Sequence, residues 1–222
     1  MTSFNISIIS DTVCPWCYIG YRRLQKAIEV YQKTYPGGSN DTFNVEWKPY
    51  YLNPEAPTEG VPIQEKMVSQ MGAASAERVQ AHMASLASAE GIILKYGGKT
   101  GNTRLSHHLL HFAKSKGQVM QNDVALELFR LQFKEERDIT DIQTLLDAAR
   151  NCGLDVEEAK AYLASSSDHK EVDMEAAAIR ESGVQGVPVF LFEGGEHIVD
   201  GSGDVMEFFE IFMKIKGDQG CS

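Results

Sequence analysis

The chain has 222 residues, 43% hydrophobic and 23% charged, which is enough to bury a core without disulfide staples and excludes a disordered chain. Its 21 basic and 31 acidic residues leave a net charge of −10, which argues against a nonspecific nucleic-acid surface and against attachment to an acidic membrane. There is no apolar run of membrane-spanning length and no basic stretch leading into an apolar one after Met1, so neither a membrane span nor a secretory signal is expected, and the reading is a cytoplasmic protein.

In chain order, Phe4, Ile6 and Ile8 alternate with polar residues and predict a short strand over 4–10, left through Asp11, Thr12 and Val13. From Tyr18 onward Leu24, Ala27, Ile28 and Tyr31 recur at helical spacing, until Tyr35-Pro36-Gly37-Gly38 breaks the helix. Phe43, Val45 and Trp47 alternate with Asn44, Glu46 and Lys48. They predict a second strand with Glu46 and Lys48 on a solvated face, closed by Asn53-Pro54.

Residues 62–182 read as helical almost throughout. Pro62 suits a first helical position, Ser75 suits a cap before Val79, Met83 and Leu86, and Leu105, Leu109 and Phe112 mark another amphipathic helix. Thr140 to Gln143 and Asp168 to Glu171 have capping-box spacing. Val187 to Phe192 is an apolar run of strand length, Gly194-Gly195 offers a turn, and His197 to Val199 can return beside it. Val205, Phe208, Phe209 and Phe212 describe a final helix. The expected architecture is α/β, with 1–56 and 167–222 forming one sheet domain and 57–166 an inserted helical domain.

Four cysteines are too few for a disulfide scaffold of this length. A chance C-x-x-C among them has an expectation of roughly 0.05, so Cys14-Pro15-Trp16-Cys17 is the first informative feature. It sits between a strand and a helix, and Pro15 suits the first helical position, which places Cys14 at the N-cap. The free N–H groups and positive dipole end there favour a thiolate that attacks a disulfide. Cys17, one turn on, can then resolve the mixed disulfide, a two-electron exchange that needs no bound cofactor. Half of a zinc site is the rival reading, but Cys152 and Cys221 are isolated and supply no second pair.

The stretch Ser10-Asp11-Thr12-Val13-Cys14-Pro15-Trp16-Cys17-Tyr18-Ile19-Gly20 resembles the DsbA family of thioredoxin-fold proteins. More narrowly it resembles the FrnE-like branch, described as polyketide-biosynthesis dithiol–disulfide isomerases. Trp47 to Pro54 resembles the end of that branch's second strand. Asn102-Thr103-Arg104-Leu105-Ser106-His107 resembles a helix start in it, and Gly183 to Phe190 its cis-proline loop. The resemblance spans nearly the whole chain and implies a thioredoxin fold with a large all-helical insertion. It also implies a thiol–disulfide oxidoreductase or isomerase acting on protein or small-molecule disulfides, with Cys14 as nucleophile and Cys17 resolving, and Pro15 and Trp16 tuning the pair.

The resemblance further implies a cis Val187–Pro188 bond facing Cys14, where the Val187 main chain can bind an extended substrate. X-Pro is trans by default, so the residues alone also fit a proline that opens a strand. Asn53, Asn102, Thr103 and His107 are the supporting positions by the same resemblance. Asp11 reads equally as a proton relay to Cys17 or as a cap of its loop. His107 and His111 share a helix face, but no third ligand is identifiable and no metal is expected.

Glutathione is the implied redox partner or co-substrate, and Asn53 and Val187 are its candidate contacts. Kappa-class glutathione transferases and 2-hydroxychromene-2-carboxylate isomerases share the scaffold. A glutathione-dependent isomerase or transferase is therefore the alternative, although those enzymes carry serine where Cys14 stands. A holdase with a vestigial thiol pair is a third reading. Met67, Met71, Met83 and Met120 suit either a groove for varied substrates or ordinary core packing. Cys152 reads as a partly buried core residue and Cys221 as an exposed one. The sequence carries no signal for an oligomeric state.

Overall fold

The computed structural model describes residues 1–165 and 169–219. It opens with β1 (Ser3–Ser10), α1 (Pro15–Thr34) and β2 (Thr42–Pro49). A stretch rich in helices follows: β3 (Val61–Pro62), α2 (Ile63–Met71), α3 (Ala73–Ala89), β4 (Lys99–Thr100), α4 (Arg104–Ser115), α5 (Gln118–Phe129), α6 (Ile142–Asn151), α7 (Val156–Ala164) and α8 (His169–Glu181). The chain then returns through β5 (Val189–Phe192), β6 (His197–Asp200) and α9 (Val205–Gln219).

The main sheet has the order β2-β1-β5-β6, with β1 parallel to β2 and the other neighbours antiparallel. Strands that are adjacent in sequence but parallel need a crossover, and α1 supplies it between β1 and β2. β3 and β4 pair as a separate two-stranded ribbon. This is the thioredoxin fold with an inserted helical segment.

The side chains explain the register. Phe4, Ile6 and Ile8 of β1 are buried on one face, where Tyr31 of α1 and Phe212 of α9 pack against Phe4. The rings of Phe4, Tyr31, Phe43 and Phe212 pack edge-on or stacked at centroid distances of 4.7–5.8 Å, joining β1, α1, β2 and α9. Burying each such ring contributes about 1.5–3 kcal/mol. Gly20 permits the close seat of α1 on β5, because a Cβ there would stand 3.0 Å from the Phe190 ring.

Four local expectations change. Asp141, not Thr140, caps α6, because its carboxylate accepts the Gln143 N–H at 3.0 Å while Thr140 is held by Asp138. α3 starts at Ala73, so Ser75 lies inside it; Pro62 stands one residue before α2, as its N-cap. Glu46 and Lys48 are only partly solvated: α8 packs against β2, and Lys114 of α4 and Glu175 of α8 form ion pairs with them. Asp168 lies outside the described residues.

Candidate active site

Cys14 is the N-cap of α1 and Pro15 its first residue. The Cys14 N–H donates to the Asp11 carbonyl at 3.0 Å, closing a turn that delivers the sulfur to the C-terminal end of β1. Cys14 is 4% exposed and Cys17 fully buried, and both are free thiols. Burial pushes the Cys17 thiol well above its ordinary value. The hydrogen bond to Cys14 and the proximity of that sulfur's charge push the same way, against contacts from the Ser10 hydroxyl and the Asp11 main chain. The pair is therefore asymmetric: one sulfur at the mouth, one beneath it held as a thiol.

The Val187–Pro188 peptide bond is cis, and the Val187 carbonyl lies 3.6 Å from the Cys14 sulfur. β5 begins immediately after, paired with β1 from Val189 to Ile9. The cis-proline loop and the Cys14 turn are thus held side by side by two neighbouring strands.

Behind the motif lies a buried polar layer. Asp11 is 1% exposed; its Oδ2 accepts the Leu52 N–H at 2.8 Å. Its Oδ1 has no hydrogen-bond partner and stands 3.4 Å from His107 Nε2, which is equally unpaired. The Leu52 bond to Asp11 ties the exits of β1 and β2 together. Thr12 Oγ1 and Ser106 Oγ lie 2.6 Å apart, a second clasp between this loop and α4.

A groove of about 420 Å³ opens over Cys14. Pro15, Trp16, Leu52 and Val187 line it, together with Met67 of α2 and Met83 of α3. Of the other two methionines, Met71 is exposed and Met120 packs against the core. Asn53, Asn102, Thr103 and His107 do not line this groove. Asn53 Oδ1 accepts the Glu55 N–H, and Asn102 Nδ2 donates to the Pro54 and Ala56 carbonyls. Thr103 is the buried N-cap residue of α4, and its carbonyl accepts the Ser106 hydroxyl. These residues hold the loop after β2 and the start of α4.

Sequence reasoning did not find Tyr96, Thr100, Gln132 and Phe133, which also line the groove. They come from the loop before β4, from β4 itself and from a π-turn at the end of α5, with no motif to mark them.

Among the described residues no group of three or more His, Cys, Asp or Glu could hold a metal ion. His108 Nε2 lies 3.6 Å from Asp173 and His111 Nε2 3.9 Å from Glu171, so each histidine of the cluster faces a different acid. Cys152 is half-buried, and burial pushes its thiol up to about 11; Cys221 lies outside the described residues. No described helix is long and apolar enough to cross a membrane.

Residues 5–212 match the DSBA-like thioredoxin domain. YwbO of Bacillus subtilis (strain 168) is 26% identical over 211 residues, 91% of this chain and 94% of that protein. The crystal structure of the probable DsbA oxidoreductase SCO1869 from Streptomyces coelicolor superposes with a TM-score of 0.84 at 26% identity, over 96% of this chain and 90% of that one. The cytosolic disulfide reductase DsbM from Pseudomonas aeruginosa, solved with GSH, shares the fold at a TM-score of 0.65 and 14% identity, over 96% and 99% of the two chains. The chain belongs to the DsbA-like thioredoxin family of disulfide oxidoreductases and isomerases.

Proposed function

We propose that the protein exchanges disulfides through Cys14 and Cys17, with the cis-proline loop presenting the substrate. The observation that carries this is the asymmetry of the pair: Cys14 at an N-cap on the groove, Cys17 buried beneath it with a raised pKa. The Cys14 thiolate attacks a substrate sulfur, the substrate S–S bond breaks, and the departing thiolate takes up a proton. Once Cys14 is tied up in that mixed disulfide, its charge no longer opposes ionisation of Cys17. The Cys17 thiol then loses its proton, attacks Cys14 and releases the second substrate thiol, leaving a Cys14–Cys17 disulfide.

Two glutathione thiols can return that disulfide to the dithiol, forming glutathione disulfide. The GSH complex of DsbM supports glutathione as the reducing partner here, and with it a cytoplasmic setting. The substrate disulfide belongs to a protein or a small molecule that enters the groove between Trp16 and Met67. The Val187 carbonyl, beside the Cys14 sulfur, is the main-chain contact for such a substrate.

Reduction of insulin disulfides by a thiol reductant tests this. Catalysis should vanish in Cys14→Ser, and Cys17→Ser should accumulate a mixed disulfide at Cys14. An active Cys14→Ser, or trapping at Cys17 in preference to Cys14, would overturn the assignment.

A further inference from the structure

β1 buries Phe4, Ile6 and Ile8 on one face, and the two-residue period of a strand puts Ser10 on that same face. An apolar residue would continue the pattern, yet the position carries a hydroxyl and is only 4% exposed. On α1 the buried residues begin at Cys17 and go on through Gly20, Tyr21 and Leu24. The last inward residue of the strand thus meets the first inward residue of the helix. The Ser10 hydroxyl hydrogen-bonds the Cys17 sulfur, and so does the Asp11 main chain. Both act as donors, since both favour the charged sulfur. The neighbouring hydroxyls of Thr12 and Ser106 pair with each other at 2.6 Å.

The end of β1 is fixed around this contact. Tyr50 N–H donates to the Ser10 carbonyl and Cys14 N–H to the Asp11 carbonyl, both at 3.0 Å. Leu52 N–H donates to Asp11 Oδ2 at 2.8 Å. The two donors are therefore in place before any reaction begins.

A neutral thiol is a weak acceptor, so these bonds contribute little while Cys17 stays protonated. A thiolate takes charge-assisted bonds, which are about twice as strong. Cys17 carries charge only while it resolves a mixed disulfide. Donors aimed at that sulfur stabilise the resolving state more than the resting one, which is the condition for speeding the step.

We infer that Ser10, together with the Asp11 N–H, forms a donor pair that holds the Cys17 thiolate during resolution. The Cys17 thiol gives its proton to solvent, and its sulfur attacks Cys14 Sγ. The Cys14–substrate S–S bond breaks, and its electron pair leaves on the substrate sulfur, which takes a proton from solvent. Ser10 thus serves the second half of the exchange and not the first. This rests on the proposed disulfide exchange at Cys14.

One hydrogen bond to a charged sulfur is worth about tenfold to hundredfold in thiolate population. A stabilised thiolate is also a weaker nucleophile, with a Brønsted coefficient of about 0.5, so about threefold to tenfold survives in the rate.

Stopped-flow reaction of the reduced protein with dithiobis(nitrobenzoate) tests this. The first thionitrobenzoate released reports attack by Cys14, and its rate grows with reagent concentration. The second reports resolution by Cys17, and its rate does not. Ser10→Ala should slow the second phase by about threefold to tenfold and leave the first unchanged. Ser10→Thr keeps the hydroxyl and should restore the second phase. An unchanged second phase in Ser10→Ala overturns the inference, as does a slowing that Ser10→Thr fails to relieve.

If the wild type releases no thionitrobenzoate, the exchange reading fails on its own. Carbon NMR of the Cys17 Cβ, followed against pH with Cys14 replaced by alanine, then decides the role of Ser10. Asp11 and His107 are common to every variant and cancel from the comparison. Titration that begins at higher pH in Ser10→Ala than in Ser10 protein supports the donor pair; coinciding curves overturn it.

Discussion

The two ends of the β1–β2 pair treat buried charge in opposite ways. At the end where Ser3 pairs with Thr42, Asp41 is buried and every bond is made. Its oxygens accept the Thr2 N–H at 2.6 Å, the Tyr31 hydroxyl at 2.9 Å and the Lys216 ammonium at 2.7 and 2.8 Å. At the other end, where Ser10 pairs with Pro49, Asp11 and His107 face each other at 3.4 Å without a hydrogen bond, and Tyr96 and Gln132 each leave an atom unpaired. The satisfied end ties the start of β1, α1, β2 and α9 into one body. The unsatisfied end surrounds the thiol pair. Polar atoms are paired where the fold needs holding and left open where chemistry is done.

The contrast is broken most strongly at Asp41. Burial alone would raise its carboxyl, but the bonds from Lys216, Thr2 and Tyr31 outweigh burial and hold it below the usual range. Asp41→Ala leaves Lys216, which is 19% exposed, without its partner, and should cost about 3 kcal/mol in denaturant unfolding. The pH dependence follows with a definite sign. A depressed carboxyl contributes stability that is present above its unfolded value, near 4, and lost as pH falls through its lower folded value. Asp41→Asn should therefore flatten the acid limb of the stability profile; an unchanged limb would show that other carboxylates set it.

At the opposite end, a kinetic measurement sharpens the comparison. Cys17 is held as a thiol by burial and by Cys14, yet only its thiolate resolves a mixed disulfide. In the mixed disulfide the charge of Cys14 is gone but burial, the larger cause, remains, so resolution there should keep accelerating with pH past the ordinary thiol value of about 8.5, because the thiolate fraction grows until the raised pKa is reached. Stopped-flow release of the second thiol follows it. A plateau near pH 8 would mean that Cys17 ionises as an ordinary thiol.

Much of this was legible in the residues, for local reasons. Pro15 after Cys14 announces the start of α1, Tyr35-Pro36-Gly37 its end, and the apolar run after Pro188 the interior strand β5. What could not be read depends on distant segments meeting. Glu46 alternates as a solvated strand residue should, and only the arrival of α4 brings Lys114 to it. Asn102 belongs to a motif beside the active site, yet its side chain grips the Pro54 and Ala56 carbonyls. Gln132 reaches the groove through a π-turn, which has no sequence period of its own. The Thr140 reading failed for a smaller reason: Asp141 stands next to it, and a carboxylate caps at least as well as a hydroxyl.

The smallest expected effect completes the contrast between the two aspartates. Asp11 carries one hydrogen bond, from the Leu52 N–H to Oδ2, and its other oxygen has none. Asn at this position keeps an acceptor for Leu52 and turns an unpaired acceptor into a donor facing His107 Nε2. The substitution keeps the Leu52 bond and gives up no hydrogen bond at Oδ1, so Asp11→Asn should change stability by no more than about 1 kcal/mol. Chemical denaturation of Asp11→Asn beside Asp41→Asn reads the comparison directly. A large loss at Asp11 would show that its carboxylate holds the fold as Asp41 does, and the division between a satisfied end and an open one would fall.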